Sequence, residues 1–253
     1  MGMSAVAIYQ IGSRLSFLFN NFATQFQNNL TPIAAKLHHS GEQDRLGNIM
    51  YHSNRIVMLF TSLIFIILVY FTEPLLFIWL GVTIKEAILI SYIMLFSVYF
   101  SIIFRSVNNP ILLMGGKHKF LSKVAIYESI ANILLSIILV KVYGVIGVAI
   151  GTLVPNLVLG IFLILPSAAK YSAQSISIYI QKIFMPVLLI SSITFGLLVY
   201  SSEIFNEWNL LNIIITSIAV SIIYLIMAYI FYIDTHERKK INVLMKKINI
   251  KRA

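Results

Sequence analysis

Apolar runs as long as a bilayer's hydrocarbon core is thick constrain this chain more than any other feature. A spanning helix needs about 20 mostly apolar residues. The stretches Ile56–Tyr70 and Ile130–Val140 are nearly continuous Ile, Leu, Val and Phe. Seven such segments are read at about 5–31, 56–80, 87–113, 120–141, 145–168, 182–200 and 210–233. They are too long and too unbroken for barrel strands, which alternate over about ten residues. The expected fold is therefore all-α, a polytopic membrane bundle of about seven transmembrane helices. Composition agrees, with 59% hydrophobic and 11% charged residues where soluble domains carry about 25% charge. A soluble globular enzyme is excluded. The absence of cysteine excludes disulfides, thiolate metal sites and cysteine nucleophiles.

The net charge of +10 would suggest nucleic acid in a soluble protein. Here its placement gives another meaning. Residues 36–55 carry Lys36, Arg45 and Arg55; residues 114–123 carry Lys117, Lys119 and Lys123; residues 169–182 carry Lys170 and Lys182. The tail holds Arg238, Lys239, Lys240, Lys246, Lys247, Lys251 and Arg252. The other connections hold only Lys85 and Lys141. Rich and poor connections alternate, so the rich ones and the C-terminus are expected in the cytoplasm, with membrane lipids, not nucleic acid, as the surrounding partner. The first segment is interrupted by Asn20, Asn21, Gln25, Gln27, Asn28 and Asn29; it either crosses or lies in the interface. The start, Met1 to Arg14, lacks the basic region and cleavage site of a signal peptide, and its immediate entry into the membrane suggests either a truncated protein or one half of something larger. The basic tail 234–253 reads as a solvated segment or an amphipathic helix on anionic lipid.

Polar side chains inside spans are costly and point to cavities or partners. In the first segment Gln10, Arg14, Asn21, Gln25 and Asn28 recur on one helical face, with Leu15, Phe19, Phe22 and Phe26 opposite. Ser97, Ser101, Arg105 and Asn108 share a face in the third, and Glu128, Asn132 and Ser136 in the fourth. Two readings stand. A water-filled cavity with a cationic patch would hold an anionic headgroup, because the planar guanidinium donates two hydrogen bonds to phosphate at once. Alternatively, Arg105 pairs with Glu128, and Asn and Ser bond across helices. Glu73, before Pro74, reads as an interfacial turn residue.

No catalytic constellation competes with these stripes. The histidines His38, His39, His52, His118 and His236 all lie at or near cytoplasmic segments, which argues against a buried metal site or a proton relay. No cofactor is expected, and no enzyme activity. Gly115-Gly116-Lys117 lacks P-loop spacing and is expected to be a tight turn. Gly147 and Gly151 make a Gly-xxx-Gly pair, expected to pack helices within the chain. Pro32, Pro110 and Pro155 are potential kinks.

The stretches Tyr9-Gln-Ile-Gly-Ser-Arg14, Leu30-Thr-Pro-Ile-Ala-Ala-Lys-Leu37, Gly41-Glu-Gln-Asp-Arg45 with Arg55, Trp79-Leu-Gly81, Ile111-Leu-Leu-Met-Gly-Gly-Lys-His-Lys119 and Tyr143-Gly-Val-Ile-Gly-Val-Ala-Ile-Gly-Thr152 together resemble the Wzx-type polysaccharide and O-antigen flippases. These belong to the multidrug/oligosaccharidyl-lipid/polysaccharide exporter superfamily. The resemblance covers about residues 5–168; two further spans fill 169–233. It implies the second lobe of a transporter of twelve to fourteen helices in the bacterial inner membrane, lacking its first lobe. The implied activity is flipping of an undecaprenyl-pyrophosphate-linked oligosaccharide, with Arg14 and Arg105 as cavity cations. Asn21, Gln25, Asn28, Asn108 and Glu128 complete the expected substrate-binding set. Implied partners are the lipid-linked oligosaccharide, an N-terminal lobe, and polysaccharide polymerase or ligase components. The alternatives are a drug or small-cation exporter of the same superfamily, and a non-catalytic membrane subunit or inactive fragment.

Overall fold

The computed structural model describes residues 2–39, 43–202, 208–234 and 238, and among them every regular element is helical. The helices are α1 (Met3–His39), α2 (Gln43–Leu80), α3 (Lys85–Arg105), α4 (Asn108–Met114), α5 (His118–Tyr143), α6 (Val145–Tyr171), α7 (Ile176–Ser201) and α8 (Leu210–Phe231). Six of them, α2, α3 and α5 to α8, are long and apolar enough to cross a membrane. The chain is thus a multi-pass membrane bundle. The expected seventh, α1, has the length at 37 residues but carries too many amides to join the apolar set. It nevertheless runs through the thickness of the bundle. Gly12 lies against Ala87 and Ile90 near one end of α3, Phe19 stacks on Phe65 of α2, and α1 also packs on α4 beyond the other end of α3.

The centre is formed by α2 and α3, with α1 on one flank, α6 on another and α7 with α8 against α2. Close approach of α1 requires Gly12: a Cβ there would sit 2.7 Å from the Ile90 side chain, and the Ser91 hydroxyl donates to the Gly12 carbonyl at 2.8 Å. Phe65 is sandwiched in this centre, 4.1 Å from the Tyr99 ring in a stacked arrangement. Burying such aromatic pairs adds about 0.5–1.5 kcal/mol beyond area alone. By contrast α5 packs chiefly on α6 and α4, and its Ile130, Ile133, Leu134, Ile137 and Ile138 face outward.

Proline chemistry explains where the helices depart from the expected spans. The segment read as one span over 87–113 is broken. Pro110 has no N–H for the Ser106 carbonyl, and its ring crowds that oxygen. Accordingly α3 ends at Arg105 and α4 begins at Asn108. Two other prolines are absorbed without a break. Pro166 follows the π-helical turn Gly160–Ile164, and Pro186 follows the π-helical turn Ile180–Phe184. Widening the helix by one residue makes room for the ring. Both segments outgrow their expected bounds, reaching Tyr171 and starting at Ile176. Glu73 is not in a turn, because α2 continues past Pro74 to Leu80.

The glycines behave as read. After α4, Gly116 takes φ +73° and Lys117 N–H closes onto the Leu112 carbonyl at 2.9 Å, a helix stop that favours glycine. Gly147 and Gly151 let α6 lie on α5, since a Cβ would meet the Leu139 carbonyl at 2.3 Å and the Ser136 hydroxyl oxygen at 2.4 Å.

The connections rich in Lys and Arg gather at one end of the bundle. There Gly47 touches Ser172 and Gln174, Gly115 touches Tyr171, and Arg55 reaches the backbone of Lys182 and Tyr232. The tail residues 239–253, with the expected amphipathic segment, lie outside the described residues.

Candidate functional site

The polar residues sort into three places. The first is the junction of α3, α5 and α6. Arg105, at the last residue of α3, directs Nη1 to Glu128 Oε2 on α5 at 2.7 Å. Its Nη2 donates to the Asn156 carbonyl of α6 at 3.3 Å. That carbonyl already accepts from the Gly160 N–H at the start of the π-helical turn. The Asn156 amide in turn donates to the Ser97 carbonyl at 3.0 Å and to its hydroxyl at 3.2 Å. Further along the same seam, Asn132 donates to the Thr152 hydroxyl at 3.3 Å and the Ser136 hydroxyl donates to Asn132 at 3.1 Å. The α5 stripe therefore faces inward and bonds helices together.

The pair at this junction is mostly enclosed, with the Arg105 side chain 14% and the Glu128 side chain 24% exposed. Charges so placed in an apolar surround hold each other by geometry and neutralise each other. Arg105 Nε and Asn156 Oδ1 are buried with no hydrogen-bond partner, so the junction keeps one donor and one acceptor in reserve.

The second place is separate from the first. Asn108 was expected on the Arg105 face, but the break after α3 turns it toward α2. It is fully buried. Its amide donates to the Phe104 carbonyl at 2.8 Å, and its side-chain oxygen lies 3.4 Å from the Asn54 amide. Asn108 thus closes a helix break and does not extend the Arg105 stripe.

The third place is the outer face of α1. Gln10, Arg14, Asn21, Gln25 and Asn28 are all exposed, while Gly12, Ser16 and Phe19 on the other side are buried. The Arg14 guanidinium lies 5.8 Å from the centre of the Phe17 ring. Among the described residues no ion pair or hydrogen bond links this face to Arg105 or Glu128. The two arginines singled out from sequence therefore sit in opposite circumstances, one paired and enclosed, the other open.

Arg55 was read as a loop charge and is the residue sequence reasoning missed. It is 3% exposed. Nη1 donates to the Tyr51 hydroxyl at 3.0 Å and to the Lys182 carbonyl at 3.3 Å. Nη2 donates to the Tyr232 carbonyl, and Asp234 Oδ2 lies 3.5 Å from Nη1. The guanidinium also lies over the Tyr232 ring at 4.2 Å, a cation–π contact. The Lys182 carbonyl is available because Pro186, four residues on, has no N–H to give it. The signal in the sequence was Pro186 itself; the partner on α2 had no local mark.

Among the described residues no three His, Asp or Glu side chains gather as for a metal ion. No protein-family model matches the chain, and no curated protein or solved structure matches it either.

Proposed function

We propose that this chain is one lobe of a transporter that flips an undecaprenyl-pyrophosphate-linked oligosaccharide, an O-antigen or capsule repeat unit, across the bacterial inner membrane. The observation that carries the reading is the open polar face of α1. By contrast the outer faces of α5 and α8 are apolar, with Ile133, Ile137, Ile214, Ile218 and Ile222 pointing outward. A stripe holding an arginine and four amides is costly against lipid tails. It is instead suited to a water-filled cavity closed by a second lobe, since transporters of this kind work by rocking two lobes around a shared midplane site. Arg14 offers a planar fork to a pyrophosphate, and Asn21, Gln25 and Asn28 offer both donors and acceptors to sugar hydroxyls. Arg105 would join substrate only by exchanging Glu128 for phosphate. The clustered basic connections favour a cytoplasmic position for that end and for the C-terminus.

A cationic drug fits this face poorly, because the charged group that lines it is itself a cation. A non-transporting membrane subunit is favoured at one point, the mutual neutralisation of Arg105 and Glu128. The test is complementation of a flippase-deficient strain by the chain together with its partner lobe. Arg14→Ala is expected to abolish surface polysaccharide while the protein stays in the membrane. Unchanged polysaccharide would remove Arg14 from the substrate path and favour the subunit reading.

A further inference from the structure

At the basic end of the bundle a crevice of about 520 Å³ opens between α4, α5 and α6, lined by Leu112, Lys117, Phe120, Ser167, Lys170 and Tyr171. It lies apart from the Arg105 junction and from the α1 face. Its composition is divided. Lys117 and Lys170 are exposed and supply two ammonium groups, one from the turn after α4 and one from the last turn of α6. Ser167 supplies a hydroxyl, while Phe120 forms an apolar floor backed by the buried Leu112. Lys117 also immediately precedes α5, so the positive end of that helix dipole adds to the two lysines.

The turn that places Lys117 is built to hold its shape. Gly116 takes the left-handed backbone that the stop requires, and the Lys117 N–H is tied to Leu112. Gly115 lies so close to the Tyr171 ring that a Cβ there would be 2.4 Å from it. The wall carrying Lys117 is thereby fixed against the wall carrying Lys170. Of the helices forming the crevice, α5 and α6 are membrane-spanning in length and apolarity, so their basic end falls at the level of the headgroups. Basic crevices between helices at that depth take phosphate-bearing headgroups.

We infer that this crevice binds the phosphodiester headgroup of an anionic phospholipid, with Lys117 and Lys170 on the phosphate and the start of the acyl chains against Phe120. A free phosphate shares the charge but has nothing to set on the apolar floor, so the lipid is the committed source. The reading is independent of the transport proposal.

The test is native mass spectrometry of the purified 253-residue chain in detergent, titrated with phosphatidylglycerol, with phosphatidylcholine, and with inorganic phosphate. Phosphatidylglycerol is expected to form a one-to-one adduct that phosphatidylcholine does not match. Lys117→Gln with Lys170→Gln should weaken that adduct roughly tenfold to thirtyfold, from the usual contribution of a lysine near an anionic headgroup. Lys117→Arg with Lys170→Arg should restore it. Lys123→Gln, which removes a charge at the same end of the bundle but outside the crevice, should leave it within about twofold of the original, as expected for a charge screened by solvent. Equal retention of phosphatidylcholine, equal loss in the Lys123 variant, or inorganic phosphate displacing the lipid at equal concentration would each overturn the inference.

Discussion

Arg55 and Arg14 sit one helix apart in sequence and teach opposite lessons about a charge in a membrane bundle. Arg55 is enclosed at the end of α2, with a carboxylate, two carbonyls, a hydroxyl and two aromatic rings around its guanidinium. It joins three helices, because Lys182 belongs to α7 and Tyr232 directly follows α8. Arg14 stands on an open face with one ring beside it. The first arginine has its partners within the fold; among the described residues the second has that ring as its contact. A charge whose partners are internal acts on stability, and one whose partners are elsewhere acts on binding. Arg105, paired with Glu128 but with its Nε unpartnered, lies between the two.

That contrast predicts a gradient of stability effects. The largest belongs to Arg55→Ala. It leaves Asp234 and two backbone carbonyls without their cation and detaches the end of α8 from α2. The Asp234 side chain is 56% exposed, so the loss comes mainly from the buried carbonyls left without a charged donor. It amounts to about 3–5 kcal/mol in all, at roughly 1–3 kcal/mol for each unsatisfied group with the lost packing added, to be read as the shift in denaturant-induced unfolding of the purified chain. Arg55→Lys recovers little of it, since an ammonium cannot reach the carbonyls of Lys182 and Tyr232 together. A loss below about 1 kcal/mol would show that Arg55 is held like a surface charge and would erase the contrast.

Next comes Glu128→Ala. It strands Arg105 at the α3–α5–α6 junction, and partial exposure of the pair reduces the expected cost to about 2–3 kcal/mol. The double change Arg105→Met with Glu128→Leu should return most of that loss, because apolar replacement of both partners removes the stranded charge. If the double variant is as unstable as the single one, the junction depends on the Asn156 contact and not on the ion pair. Gly151→Leu tests the uncharged part of the same seam. Its side chain would drive α6 off Ser136, at about 1–3 kcal/mol for overpacking, with α5 loosened first. Protection of α5 amides from hydrogen exchange is the measurement, and unchanged protection would mean that α5 is held by α4 instead.

Much of this arrangement could be read from the chain and some could not, for identifiable reasons. Apolar runs located α2 and α5 through α8 because lipid demands continuous apolarity along a span. The tight stop at Gly115–Lys117 and the packing role of Gly147 and Gly151 followed from what only glycine permits. Helical spacing also assembled the α1 and α5 polar stripes on their own helices. What spacing cannot give is the direction a stripe faces. The α1 and α5 stripes look alike in sequence, yet one is exposed and the other is spent on Thr152 and Arg105. Nor does spacing survive a break: Pro110 ended α3 early and turned Asn108 to Asn54. Arg55 was hidden by its position one residue before an apolar run, where a topogenic charge is expected, and its partners lie 127 and 177 residues away in the chain.

The smallest stability effect is expected at Arg14, and it sharpens the comparison most. Arg14→Ala removes an exposed side chain whose local contact is the Phe17 ring, so unfolding should shift by no more than about 0.5 kcal/mol. Under the transport reading the same change abolishes surface polysaccharide, because the lost group binds substrate and not the fold. A large functional loss with an intact fold is what separates a binding charge from a structural one. Arg14→Lys adds a second level: it keeps the charge but loses the planar fork, so it should retain part of the activity if phosphate is held by charge and little if it is held by two parallel hydrogen bonds. If Arg14→Ala instead destabilised the chain as much as Arg55→Ala does, the outer face of α1 would be a packed surface within the fold, and the contrast between the two arginines would collapse.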